Sequence, residues 1–420
     1  MLVLGIALAS ALFAVIVVLN FATGEKKIEH RVERLYSAAD PAFGRAMGVL
    51  LGPAILHGNR FEALLNGDRI FPAMLTAIRD ATKTITFESY IYWSDAIGKA
   101  FAEGLAERAR AGVKVHVLLD WVGSNKMDPT HLAVMEAAGV EVRKFHKPDW
   151  YSLARMNNRT HRKVLVVDGK VGFTGGVGIA GLWTGNAQDP QHWRDTHFRA
   201  EGPVVAQMQA VFLDNWIKAT GAVLHGDDYF PALREAGDEA AQMFSSSPSG
   251  GSDSMHLMYL LAISAAHHSI HLSSAYFVPD ALSTRALVDA LERGVTVTII
   301  VPGKHSDAAI VRRASRARWG ALLAAGAEIH EYQPTMYHCK VLIVDGLMVS
   351  VGSTNFDTRS FRLNDEANLN IYAADFARRQ IEVFNADLSQ SRQISLRAWQ
   401  RRPLAEKFLE HAASLVGAQL

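Results

Sequence analysis

The pattern His-x-Lys-x4-Asp occurs twice, as His161-Arg162-Lys163-Val164-Leu165-Val166-Val167-Asp168 and as His338-Cys339-Lys340-Val341-Leu342-Ile343-Val344-Asp345. Each copy is followed after six residues by a small-residue turn, Gly175-Gly176 in the first and Gly352-Ser353-Thr354-Asn355 in the second. So long a shared spacing points to two copies of one supersecondary plan. Three further stations match in the same order. Residues 85–89 (ITFES) match 270–274 (IHLSS), 112–117 (GVKVHV) match 294–299 (GVTVTI), and 139–142 (GVEV) match 326–329 (GAEI). Each is β-rich, and helical patterns over 100–111 and 284–293 run up to a Gly-Val junction, where glycine ends a helix and valine starts a strand. The alternation predicts an α/β fold: two similar α/β sandwich halves, parallel strands joined by helices, related by a pseudo-two-fold axis.

Residues 58–242 then form the first half, 243–253 a linker of loop composition, 254–375 the second half, and 376–420 a C-terminal helical extension. In that extension Leu404, Phe408, Leu409, Ala412 and Leu415 recur at helical spacing, suited to docking on the body or on lipid. Residues 1–22 carry no charged side chain and are long enough to cross a hydrocarbon core of roughly 30 Å, so residues 1–23 are expected to be one transmembrane anchor and 24–57 a juxtamembrane segment. A signal peptide would need a charged start, which is missing. Lys26, Lys27, Arg31 and Arg34 all follow the apolar stretch, which puts the body on the cytoplasmic side of the cell membrane. Residues 47–56 are too short to span and are expected to be buried or interfacial.

Charge narrows the partners. With 43 Lys and Arg against 42 Asp and Glu, the chain lacks the basic footprint of a general nucleic-acid binder, and no nucleic-acid partner is expected. The single cysteine, Cys339, excludes an intramolecular disulfide and a thiolate zinc cage, and reads as a small buried filler. His267, His268 and His271 have no companion carboxylate. No metal and no cofactor is expected.

Residues i and i+2 share a strand face, so each motif presents an imidazole beside an ammonium: His161 with Lys163, His338 with Lys340. Asp168 and Asp345 have the other parity. If both pairs meet in one cleft, the lysines neutralise a phosphodiester, with Ser353 and Asn355 as further donors. One neutral imidazole attacks phosphorus while the other handles the leaving-group proton. Gly176 and Gly178 stand where the second copy has Ser353 and Asn355, and their backbone N–H groups can substitute as an anion nest. Trp93, Trp121, Trp150, Tyr151 and Trp183 sit in or beside loops, where ordinary packing is expected and an acyl-chain entrance is the alternative.

The motifs resemble those of the phospholipase D superfamily and, within it, the bacterial cardiolipin synthase branch, from about Gly58 to beyond Asn368. Residues 276–280 (YFVPD), 193–196 (WRDT) and 355–360 (NFDTRS) strengthen the likeness. The resemblance implies a metal-independent phosphatidyltransferase working through a phosphohistidine, with His161 as nucleophile and His338 as general acid and base. It implies that Asp195 serves His161 and Glu366 serves His338, and leaves Asp168 and Asp345 structural. Phosphatidylglycerol is the implied phospholipid substrate, and a second phospholipid the acceptor. Hydrolysis to phosphatidic acid is the nearest alternative. A nuclease-type activity is opposed by the neutral charge and the membrane segment.

Overall fold

The computed structural model describes residues 28–34, 36–147, 158–247 and 254–415, with Gly5, Ser10, Leu12 and Phe13 as isolated positions. Apart from those four, the expected anchor lies outside the described residues, as do Trp150, Tyr151 and residues 248–253 of the linker. Among the described residues no helix is long and apolar enough to cross a membrane.

One mixed sheet of 16 strands runs through the whole body. From one edge the order is Ser391–Ile394, Glu328–Tyr332, Thr296–Pro302, Ser269–Ser274, Lys340–Val344, Met348–Gly352, Asn364–Tyr372 and Glu239–Ser246. It continues through Leu56–Leu65, Thr196–Glu201, Val171–Gly175, Val164–Val167, Thr84–Ser89, Lys114–Asp120 and Glu141–Phe145. Apart from the edge strand Ser391–Ile394, the order is a palindrome. The seam is the antiparallel pair Leu56–Leu65 and Glu239–Ser246.

Along that order, parallel pairing is confined to three strands in each half. The strand that follows each histidine is antiparallel to both neighbours, which corrects the expectation of a parallel fold. The cause is the Asp-Gly dipeptide closing each motif. Asp168 and Gly169 have φ of 53° and 62°, and Asp345 and Gly346 of 53° and 64°. Two successive left-handed residues turn a strand back on itself, so a hairpin forms where a crossover was anticipated.

Period-two alternation explains why these strands are apolar throughout. Leu165 and Val167 enter the core of the first half, and Leu342 and Val344 that of the second. Val164, Val166, Val341 and Ile343 point the other way, into a core shared by both halves. Burying each such side chain stabilises the fold by roughly 1.5–3 kcal/mol, so the shared core ties the two halves together.

Three expected boundaries move. Met243 to Ser246, assigned to the linker, complete the seam strand because Met243 and Phe244 find opposite cores. The extension from 376 is not purely helical, since Ser391–Ile394 adds an edge strand beside Glu328–Tyr332. Residues 47–56 do not act as one segment. Helix Pro41–Leu50, capped by Asp40, sends Phe43 and Met47 into the core of the second half, and Leu56 already begins a strand.

Candidate active site

Each histidine is placed by a chain crossing between the halves. Arg159–Thr160 pairs in parallel with Asn364–Asp365, and His161 N–H donates to Asp365 O at 2.9 Å. In the mirror arrangement Arg194 N–H donates to Met336 O at 2.9 Å and His338 N–H to Arg194 O at 2.8 Å. Each histidine segment is thus zipped to the carboxylate segment of the other half. The regular strands begin only afterwards, at Val164 and Lys340.

The crossing decides the partners. His161 Nδ1 lies 3.0 and 3.1 Å from the two Glu366 oxygens, and His338 Nδ1 lies 2.7 Å from Asp195 Oδ2. This corrects the expected pairing of Asp195 with His161 and Glu366 with His338. Chain order suggested partners within a half, whereas the backbone bonds place each carboxylate against the far histidine. Lys163 Nζ donates to His161 O and Lys340 Nζ to His338 O, both at 2.6 Å, so each ammonium is fixed beside its own imidazole.

Two buried arginines tie the crossings down. Arg162 donates to Val211 O at 2.9 Å, Asp214 Oδ2 at 2.9 Å and Glu366 O at 3.3 Å. Arg194 forks onto Asp387 at 2.8 and 2.9 Å. Neither was singled out from the sequence, although both sit inside quoted motifs, and a charge between two strand-forming stretches was the available signal.

The turns after the hairpins differ from expectation. Ser353 Oγ donates to Glu366 Oε2, and Asn364 Nδ2 donates to Glu366 Oε1 at 3.1 Å, so Ser353 orients a carboxylate. In the first half Trp183 Nε1–H donates to Asp195 Oδ2 at 3.0 Å and Thr196 N–H to Oδ1 at 2.8 Å. A Cβ at Gly176 would stand 2.4 Å from Asp195 Oδ1, and one at Gly178 would stand 2.9 Å from Ile91 Cβ and 3.2 Å from the Trp183 ring. These glycines make room for Asp195 and its indole, which accounts for them without an anion nest. Asn355 lines the cleft, and its Oδ1 has no hydrogen-bond partner among the described residues.

His161, Lys163, His338 and Asn355 share one cavity of about 390 Å³. Tyr90 meets the His161 ring edge-on at 5.2 Å, and Trp183 and Trp193 flank His338 at 5.3 and 5.4 Å. Burial, reinforced by the adjacent lysines, holds both imidazoles well below their ordinary range, against the opposing pull of Glu366 and Asp195. Burial also lowers Lys340, and brings Lys163 down to about 7. For Asp195 burial acts upward, but His338 and Lys340 keep it below the usual carboxylate range; His161 and Lys163 do the same for Glu366. Burial and the lysines thus favour the neutral form of both imidazoles, each with Nδ1 against a carboxylate, and Lys340 Nζ also lies 3.3 Å from His338 Nε2.

Asp168 accepts from the backbone N–H groups of Thr82, Lys83 and Thr84 at 2.9, 2.7 and 2.9 Å. Asp345 does the same for His267, His268 and Ser269 at 2.8, 2.7 and 2.9 Å. Both aspartates thus fasten a hairpin turn to the start of a neighbouring strand. Cys339 is buried against Tyr332, Tyr337 and Phe384, and burial pushes its thiol up to about 12. Among the described residues no three His, Cys, Asp or Glu side chains converge as a metal cage.

The family described as "Cardiolipin synthase, PLD-like domain" matches residues 74–191 and 259–388. Cardiolipin synthase of Geobacillus kaustophilus is 35% identical over 360 residues, covering 85% of this chain and 72% of its own. Cardiolipin synthase A of Pseudomonas syringae pv. syringae is 34% identical over 375 residues, covering 89% and 76%. Phosphatidylserine synthase of Haemophilus influenzae shares the fold, with a TM-score of 0.68 over 90% of this chain and 100% of that one, at 14% identity. The chain therefore belongs to the cardiolipin synthase family of phospholipase D-like proteins, and is a phosphatidyltransferase of the phospholipase D type.

Proposed function

We propose that the cleft moves a phosphatidyl group from phosphatidylglycerol to the hydroxyl of a second phospholipid, giving cardiolipin and glycerol when that acceptor is phosphatidylglycerol. The observation that carries this reading is the paired arrangement of two histidines lining one cavity, each fixed through Nδ1 to a carboxylate of the opposite half. Lys163, Lys340 and Asn355 neutralise and orient the non-bridging phosphate oxygens. His161 Nε2 attacks phosphorus, the bond from phosphorus to the head-group oxygen breaks, and His338 gives that oxygen its proton. The acceptor hydroxyl then loses its proton to His338 and attacks phosphorus, and the phosphorus–nitrogen bond breaks. Glu366 and Asp195 act as positioning groups, fixing each tautomer and supporting the positive charge that develops on the ring.

His338 must be protonated for the first step, which its buried site resists when empty. A bound phosphodiester anion supplies the missing counter-charge and raises the imidazole, so the acid is made by the substrate it serves. In the same reading the halves form a pseudo-two-fold pair about the cleft. The uncharged segment at residues 1–22 anchors the protein by a single pass in the cell membrane, with the body on the cytoplasmic side.

The test is to incubate the full-length protein in detergent with phosphatidylglycerol and separate the products by mass. Cardiolipin with equimolar glycerol is expected. Phosphatidic acid in its place would make the protein a hydrolase, and no turnover of phosphatidylglycerol would remove it as the donor.

A further inference from the structure

The C-terminal helix Leu404–Leu415 is mounted with its polar side inward. Glu410 is buried, accepts from Arg402 Nε at 2.8 Å and forms an ion pair with Arg316, whose Nε lies 3.1 Å away. Trp399, over whose ring Arg402 lies at 4.0 Å, donates to Arg316 O at 2.7 Å. The small residue Ala413 completes the seat by packing with Val278, Val311 and Ala314. The apolar stripe seen in the sequence consequently faces out: Leu404, Phe408 and Leu409 are 82%, 73% and 46% exposed. This inverts the usual arrangement of a surface helix, in which the apolar stripe covers the core. The ion network around Glu410 holds it so.

Two observations say what covers the stripe. The first is position: the helix rests on Ala309–Ala324, whose Val311 packs against Ala413 and also lines the catalytic cavity, and whose Ile310 is 46% exposed beside it. The second is charge. The helix Ala309–Ala324 together with residues 396–415 carries eight Lys and Arg against two Glu, whereas acidic residues outnumber basic ones in the rest of the chain. Arg313, Arg318, Arg397 and Arg401 are all exposed. Exposed apolar side chains on segments that also expose basic ones match an anionic lipid surface, where the first enter the acyl boundary and the second meet phosphates.

We propose that the C-terminal helix is an interfacial membrane contact: it lies on an anionic bilayer and brings the cleft mouth to the lipid surface. The inference rests on the phosphatidyl-transfer reading for the purpose of that contact, but its test does not. Cys339 is buried, so a thiol introduced as Phe408→Cys in the full chain can be labelled with a polarity-sensitive fluorophore after reconstitution into phosphatidylglycerol vesicles. A blue-shifted label quenched by lipids brominated along the tail and shielded from aqueous iodide is expected, with a label at exposed Asp375→Cys behaving in the opposite way. A label open to iodide overturns the proposal. So does a label that is shielded from both quenchers, or one that cross-links two copies, since the cover is then protein.

A second arm separates this claim from the activity itself. The Leu404→Glu, Phe408→Glu double variant should slow transfer on vesicle-embedded phosphatidylglycerol at least tenfold and leave detergent-dispersed, short-chain substrate within twofold of the parent. Equal rates on both substrates, or equal losses on both, would overturn the membrane role. Absence of cardiolipin from the parent protein in detergent would count against the transfer reading alone.

Discussion

In the first half the carboxylate that steadies the opposite histidine is held by an indole; in the second it is held by a hydroxyl. Asp195 takes Trp183 Nε1–H and the Thr196 backbone, while Glu366 takes Ser353 Oγ and Asn364 Nδ2. The longer glutamate reaches its histidine across a turn that carries a side chain, and the shorter aspartate fits where Gly176 leaves the turn bare. Two unlike sets of residues thus produce the same result, an imidazole with its Nδ1 held against a buried carboxylate. The duplicated motif fixes the reacting groups, and the orienting groups have been free to diverge.

The largest effects should come from breaking the pair itself. His161→Ala should lower kcat by 10⁴ or more and abolish a trapped phosphohistidine, whereas His338→Ala should still form the adduct from a donor with a good leaving group. Peptide mapping of the phosphorylated chain checks this, and an adduct on His338 would exchange the two roles. Next come the orienting carboxylates. Asp195→Asn and Glu366→Gln should each lower kcat by about 10²–10⁴. Both carboxylates raise the imidazole they touch, so losing one lowers that histidine further. In Asp195→Asn the limb of the rate profile that reports protonated His338 should accordingly move to lower pH. The same shift in Glu366→Gln, and none in Asp195→Asn, would restore the within-half pairing.

The orienting donors give a finer comparison. Removing one hydrogen bond to a charged group costs about 1.5–3 kcal/mol, so Trp183→Phe and Ser353→Ala should each slow kcat by roughly 10- to 100-fold with KM little changed. Gly176→Ser should do more harm than Ser353→Ala. It does not transplant the second-half solution, because its Cβ collides with the shorter carboxylate. Steady-state kinetics on the three variants would rank them, and a fully active Gly176→Ser would show that the turn yields.

Much of this architecture is legible in the chain. The repeat gives two halves, the Gly-Val junctions give the helix-to-strand order, and both motif histidines line one cavity with Lys163, whereas Lys340 is held against His338 and is not among the residues lining it. Three features were hidden for different physical reasons. Each Asp-Gly turn coincides with the end of a motif, so the residue pair that marks a hairpin is also the pair that closes the His-Lys signature. The exchange of carboxylates depends on tertiary hydrogen bonds between segments some 205 residues apart in the case of His161 and Glu366, which no local pattern encodes. Trp183 looked like packing, and it is packing; its N–H adds a function that composition does not reveal.

The smallest expected effect concerns the residue before each histidine. Thr160 is anchored by Glu88, which also accepts from Asn215 Nδ2 at 2.8 Å, whereas the equivalent Tyr337 is anchored by Ser273 at 2.8 Å. Matched strand positions therefore carry a carboxylate in one half and a hydroxyl in the other. Burial pushes Glu88 up to about 7 although Arg162 pulls the other way, and its Oε2 has no partner among the described residues. Its folded value thus lies above the ordinary glutamate value of 4.5. The stability it contributes is complete below that ordinary value and declines as pH rises through about 7, because the folded state then has to hold a buried anion. Glu88→Gln keeps an acceptor for Thr160 and cannot ionise. It should therefore gain about 1–2 kcal/mol on the parent between pH 5 and pH 8, read as a Tm difference that opens with rising pH. A difference that stays flat over that range would mean Glu88 is charged throughout, and that Arg162 serves it as Asp387 serves Arg194 in the other half.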